Sequence, residues 1–280
     1  MTAPGVRTAL AISPHLDDAV FSAGGVLALL ARRGWHVRVV TCFTASVDDP
    51  CPFALSTQLD KGLSADVDYM ALRRAEDHAA QEKLGLLAPI HLPLPEAPHR
   101  GYNSPRELFM PPHRDDRAAA ELPRLLRRHL QFADLVLAPQ AIGNHLDHVI
   151  TAQAVAAEAP PSRTVWWRDM PYAAHAPNPD SGSSRGERSE TSEVTCDIGA
   201  VLADKAAAAQ CYTTQLGFQF GGPDRATEKL SSAARSEAIR TRALHAYVEV
   251  VRAGPHARRL LEESKRLEAD HKERQPGVDC

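Results

Sequence analysis

The chain has 280 residues, 44% of them hydrophobic and 24% charged, with a formal net charge of −3. It is long enough to bury a large core, and it lacks the basic excess that a phosphate backbone attracts, so nucleic acid is not an expected partner. Cys42, Cys51, Cys196, Cys211 and Cys280 form no CxxC pair, which argues against a disulfide framework and a thiolate zinc site.

The N-terminal "MTAPGVRTALAIS" has no signal-peptide core, and no stretch reaches the roughly 18 apolar residues of a membrane span, so a cytoplasmic chain without a membrane partner is expected. "RTALAIS" (7–13) and "HVRVVTCF" (36–43) read as strands, with a helix between them that ends at Gly34. Residues 67–85 form an amphipathic helix closed by Gly85, 88–94 a strand, 116–131 a helix, and "ADLVLAPQ" (133–140) a buried strand followed by a loop and the helix-like "VITAQAVAAEA". After these come a weak strand, "EVTCDIG", and a helix-rich C-terminal third. This alternation predicts an α/β fold, a Rossmann-like, doubly wound and largely parallel sheet flanked by helices, with a helix-rich C-terminal part and one domain over 1–270. Residues 44–66 and 95–115 read as long loops of the kind that bind ligands or close as lids. Residues 176–193 have linker composition and are expected to be a flexible loop, and 271–280 a polar tail.

Two turns carry the chemistry. "SPHLDDAVFSAGG" (13–25) follows the first strand, and "GNHLDHVITAQAV" (143–155) follows the buried strand at 133–140. In a doubly wound sheet, ligands bind beyond the carboxyl ends of the strands, so the two turns face each other if these strands are neighbours. The plain alternative is a pair of helix caps, aspartates accepting backbone N–H bonds in the first turn. The same residues at two corresponding strand ends weigh against it. Two imidazoles and one carboxylate with open positions make a catalytic divalent-metal site. His15, Asp18 and His148 can supply that set, with Asp17 and His145 beside it as acid–base groups. The pattern also permits a non-haem iron oxygenase using His15, Asp17 and a distant histidine, although those enzymes typically use a β jelly roll. A non-catalytic binding protein on a Rossmann-like sheet is a further alternative, weakened because "SAGGVLAL" offers adjacent glycines and no GxGxxG cradle.

"PHLDD" before a GG-containing helix, then "HLDH" after a buried strand, resembles the PIG-L/LmbE-like family of zinc-dependent N-deacetylases and amidases. "LRRAEDHAAQEKLG" is similar to the family's R-x-x-E helix, with Arg73 and Glu76 in those positions. "WWRDMPY" (166–172) resembles its Y-E-D-x-P-Y segment, and "DKAAAAQCYTTQ" (204–215) its K-x-x-A…Y-x-S-Q helix. The resemblance implies zinc, or another divalent metal, on His15, Asp18 and His148. It implies Asp17 as general base, and His145, held by Asp147, as the group that stabilises the oxyanion or protonates the leaving amine. It also implies N-deacetylation of an N-acyl amino sugar or a related small metabolite, with an amidase acting on a thiol conjugate as the alternative. Bound zinc can lower the pKa of its water from about 15.7 to about 7, and a nearby carboxylate then takes the proton. On this reading His145 must carry positive charge, which Asp147 favours.

The chain departs from the family pattern at Ala19, where many members have glutamate, at Gly143, where some sugar deacetylases carry a tyrosine assigned to the oxyanion, and at Arg168, where the pattern is acidic. Arg168 reads either as a change in substrate preference or as a solvated surface arginine. Arg73, Trp167 and Tyr172 are the expected substrate-binding residues. Arg73 could instead pair with Glu76 or Asp77, and at most one of Trp166 and Trp167 could stack on a sugar, since neighbours on a strand point to opposite sides. His91, His99 and His113 border the proline-rich loop and could line a pocket. Cys42 reads as a small buried residue. The expected partner is a small-molecule substrate, and a homo-oligomer is compatible with the sequence.

Overall fold

The computed structural model describes residues 5–174 and 191–263. The tail expected at 271–280 lies outside them, as does the flexible loop expected at 176–193 except for 191–193. Strand β1 (Thr8–Ser13) pairs in parallel with β2 (His36–Phe43) on one side and β4 (Leu135–Pro139) on the other. Strand β2 extends in parallel to β3 (Ile90–Leu94), and β4 to β5 (Thr164–Trp167). Antiparallel β6 (Ser192–Asp197) and β7 (Val248–Ala253) complete a seven-stranded sheet of order β3-β2-β1-β4-β5-β7-β6. Chain direction across the sheet reverses between β1 and β4, which makes their carboxyl ends the switch point of the fold.

The helices are α1 (Asp18–Arg32), α2 (Pro52–Leu59), α3 (Tyr69–Lys83), α4 (Ala118–Leu130), α5 (Leu146–Glu158), α6 (Leu202–Ala209), α7 (Thr213–Phe220) and α8 (Pro223–Thr241), with residues 255–263 also helical. Among the described residues no helix is long and apolar enough to cross a membrane. Both faces of the parallel strands are apolar, so alternate residues enter opposite cores. Leu10, Ile12, Val40 and Val136 pack with Leu122 and Leu126 of α4 and Ile150 and Val155 of α5. Ala9, Ala11, Val37, Val39 and Leu137 face Ala23, Val26, Leu27 and Leu30 of α1.

Two elements depart from the sequence expectation. The loop expected at 44–66 contains α2, which opens on Pro52 where a missing N–H costs nothing. The C-terminal part, expected to be helical, returns β7 to the sheet between β5 and β6. That return is tied to α1 by a buried carboxylate. Glu249 of β7 accepts from the backbone N–H groups of Gly25 (3.0 Å) and Val26 (2.8 Å) and from Lys205 Nζ of α6 (2.6 Å). The adjacent glycines permit this approach, since a Cβ on Gly25 would lie 2.6 Å from Ile198 Cγ2.

Replacing Glu249 by alanine leaves buried Lys205 without its counter-charge, and unfolding in urea should show a loss of about 3–5 kcal/mol. The double replacement Glu249→Met with Lys205→Met should recover part of that loss, because neither charge then remains buried and unpaired.

Candidate metal centre and active-site cavity

The two HLD turns meet at the carboxyl ends of β1 and β4. Asp17 is the N-cap of α1 but makes no side-chain capping bond, so helix capping does not account for it. Asp18, in the first turn of α1, accepts from the backbone N–H of His15 at 2.8 Å, which folds the turn back on itself. After β4 the chain turns sharply through Ala141, Gly143 and Asn144, all with positive φ, and enters α5 at its N-cap His145. Asp147 and His148 thus lie in the first turn of α5, earlier than the helix expected from "VITAQAVAAEA".

One oxygen of Asp18 joins the two turns. Its Oδ2 lies 3.2 Å from His15 Nδ1 and 3.3 Å from His148 Nε2. Four donors set tetrahedrally around zinc at about 2.0–2.1 Å would stand about 3.3 Å apart, so the Asp18 oxygen has the separation of such a set from each of the two nitrogens. The far nitrogen of each imidazole is held by a second carboxylate. His15 Nε2 is 3.0 Å from Asp147 Oδ2, and His148 Nδ1 is 2.8 Å from Asp169 Oδ1. Carboxylates only accept, so these nitrogens carry the N–H in a neutral imidazole, and the nitrogens facing Asp18 are those on which a metal ion would replace a proton. His145 adds a third ring, and its ring nitrogen lies within 4.8 Å of those of His15 and His148, a cluster that could hold a metal ion.

The electrostatics favour positive charge at the centre. Burial opposes charge on the His148 imidazole, but Asp18 and the Asp169 hydrogen bond carry it up to about 9. His15 is likewise raised well above its usual value against burial, by hydrogen bonds to Asp147 and Asp18. Asp18 is held well below the carboxylate range, because the His148 charge and hydrogen bond outweigh burial. Asp17 differs, since burial and the neighbouring Asp18 charge raise it to about 6. His145 is lowered to about 3 by burial and by the nearby His15.

Asp147, expected to hold His145, holds other groups with its side chain. The carboxylate is fully buried and accepts from His15, from the backbone of Ala97 (3.1 Å) and from Arg100 Nη2 (2.6 Å). Its backbone N–H donates to His145 Nδ1 at 3.3 Å, which puts the neutral ring's proton on Nε2. Positive charge on His145, expected from the sequence, is thus disfavoured by this environment.

A cavity of about 500 Å³ opens over these groups and is lined by His15, Asp17, Asp18, Arg73, His145, His148 and Tyr172, among others. Arg73 is buried and ion-paired to Glu96, with its other end 3.7 Å from Asp17 Oδ1. It does not pair with Glu76, which accepts from Thr213 and Thr214 of α7, nor with Asp77, which binds His91 and Tyr212. Gln219 of α7 donates to Asp17 Oδ2 at 2.9 Å.

Trp167 does not line the cavity. It is fully buried beside Val165 and Ala253, and Trp166 lies in the opposite core, because both faces of β5 are covered. Arg168 is also buried, with Nε 3.1 Å from Glu237 Oε1, so it is not a solvated surface residue. His91 bonds Asp77, and His113 stacks on Tyr102 at 4.2 Å. His99 lines an adjoining hollow of about 250 Å³ that shares Tyr69 and Glu96 with the cavity. Cys42 is a core residue whose thiol is pushed up by burial. Asp169, Glu96, Arg100 and Gln219 had no role in the sequence reading. Asp169 and Glu96 follow the carboxyl ends of β5 and β3, and the switch-point rule applied to every strand would have marked both.

A model of the PIG-L family, described as GlcNAc-PI de-N-acetylase, matches residues 10–159. Over 211 residues the chain is 32% identical to 2'-N-acetylparomamine deacetylase of Streptomyces fradiae, spanning 74% of this chain and 72% of that protein. Among solved structures it is similar to a zinc-inhibited form of teicoplanin deacetylase, with a TM-score of 0.72, 27% identity, and coverage of 88% of this chain and 97% of that one. An antimicrobial pseudoaglycone deacetylase superposes equally well, with a TM-score of 0.72, 29% identity, and coverage of 88% and 96%. With the paired HLD turns facing each other across β1 and β4, the chain belongs to the PIG-L family of de-N-acetylases and is an amide-hydrolysing deacetylase.

Proposed function

We propose that the protein removes the N-acyl group from an amino sugar in a small molecule, using zinc held by His15, Asp18 and His148. The observation that carries this reading is the Asp18 oxygen placed between two imidazole nitrogens whose far sides rest on Asp147 and Asp169. A divalent ion on that set supplies Lewis acidity, which polarises an amide carbonyl and acidifies a water.

Asp17 is the general base. Its raised pKa makes it a stronger proton acceptor than an ordinary carboxylate, and Gln219 and Arg73 hold its two oxygens from the sides. It takes a proton from the attacking water and returns it to the nitrogen as the carbon–nitrogen bond breaks. His145, neutral with its proton on Nε2, donates a hydrogen bond to the carbonyl oxygen as negative charge develops there. Arg73 and Tyr172 border the space left for the sugar. An oxygenase triad using Asp17 fits less well, because the Asp17 oxygens face Gln219 and Arg73 while the Asp18 oxygen faces the imidazoles.

The direct test incubates zinc-loaded protein with a panel of N-acyl amino sugars, 2'-N-acetylparomamine and cysteinyl glucosamine conjugates, and follows free amine. Amine from the acyl sugars is expected, whereas release from the thiol conjugates alone would identify the amidase alternative. Asp17→Asn should lower kcat by about 10²–10⁴-fold while the protein keeps its metal. Asp169→Asn should weaken metal affinity by about 10–100-fold, read by competition with a chromogenic chelator.

A further inference from the structure

The reaction centre occupies only the floor of the cavity. At about 500 Å³ the cavity has the size of sites that enclose a drug-sized ligand, larger than one hexose ring requires. The rest of the space must suit the remainder of the substrate, and its walls change character toward the mouth. Three phenylalanines line it from three separate elements, Phe53 on α2, Phe109 in the turn Glu107–Phe109, and Phe218 on α7. Phe218 is 73% exposed and Phe109 44% exposed. Single exposed apolar residues are common on surfaces, but several around one cavity mark a surface that a ligand covers.

Local geometry places each ring. On α7, Gln215 and Gln219 lie one turn apart and bond Tyr69 and Asp17, so that helix carries the floor on those positions and Phe218 at the rim. Phe109 stands edge-on to His145 with ring centroids 5.5 Å apart, joining the apolar wall to the reaction centre. At the mouth Lys61 lies with Nζ 5.1 Å from the ring centroids of both Tyr69 and Phe218, and Asp60 stands beside it. Deeper in, Arg73 is matched by Glu96. At this point of the mouth Lys61 and Asp60 stand among aromatic rings, and the acidic side chains Asp48, Asp66 and Asp68 line the adjoining hollow instead.

We propose that the substrate is an N-acyl amino sugar carried as a glycoside of an aromatic or similarly apolar aglycone. The sugar lies on the polar floor, and the aglycone lies against Phe53, Phe109 and Phe218. This rests on the deacetylase reading above and adds the class of molecule to which the sugar is attached.

The test compares the p-nitrophenyl and methyl glycosides of N-acetylglucosamine, with 2'-N-acetylparomamine as a cationic, non-aromatic third compound. Calorimetric binding to Asp17→Asn protein loaded with zinc needs no turnover, and the aryl glycoside should bind at least tenfold more tightly than the methyl one. With the unaltered enzyme kcat/KM should follow the same order, and Phe218→Ala and Phe53→Ala should each move the aryl-to-methyl ratio toward one. Equal binding of the two glycosides, no detectable binding of the aryl glycoside, tighter binding of 2'-N-acetylparomamine, or a ratio insensitive to both substitutions would overturn the proposal. Full activity of Asp17→Asn would instead sink the underlying mechanism, so the two failures are distinguishable.

Discussion

The parallel pairing of β1 with β4 is the constraint on which the site depends. Ala9, Leu10 and Ala11 stand opposite Leu135, Val136 and Leu137, so both strands end at the same level and their turns converge. Each turn then enters a helix, and the N-termini of α1 and α5 point into the shared space. Partial positive charge at those helix ends helps to hold the carboxylates gathered there. A slip of one residue in this register would exchange the two cores and separate Asp18 from His148.

Around that junction the same functional group is set to different tasks by its surroundings. Asp18 is shared by two imidazoles and is held ionised. Asp147 takes the Ala97 N–H and His15 on one oxygen and Arg100 on the other, while Asp169 takes the Ile142 N–H on one oxygen and His148 on the other, so both orient rings. Asp17 is raised to about 6 by burial and by the Asp18 charge beside it. Arg100 links Asp147 to Asp116 and so fastens the 95–115 segment over the site. That segment is an ordered wall of the cavity, built from loop composition but held by buried charge.

Legibility in the sequence followed the range of the interactions. Strands β1 and β2, and helices α3 and α4, were readable to within two residues of their ends because apolar periodicity and closing glycines are local signals. His15, Asp17, Asp18, His145 and His148 were readable because two identical short patterns followed two buried strands. Helix α2 was missed because its eight residues show little amphipathic pattern and begin among prolines. Strand β7 was missed because its place is set by antiparallel neighbours on both sides, β5 and β6, and not by a unit of its own. Trp167 was misjudged because an aromatic residue near a site-forming segment gives no sign of which sheet face it enters, and here both faces are covered.

The sequence by itself determined the fold class, the two turns and the residue types that can hold a metal and move a proton, since these depend on periodicity and on chemistry within a few positions. Tertiary structure alone decided which carboxylate serves which histidine. Asp147 is two residues from His145 yet turns its side chain to His15, and His148 takes its support from Asp169 on another strand end. It also decided the protonation each group favours and the aromatic rim of the cavity, because burial and distant partners set both, and neither is encoded by neighbours along the chain.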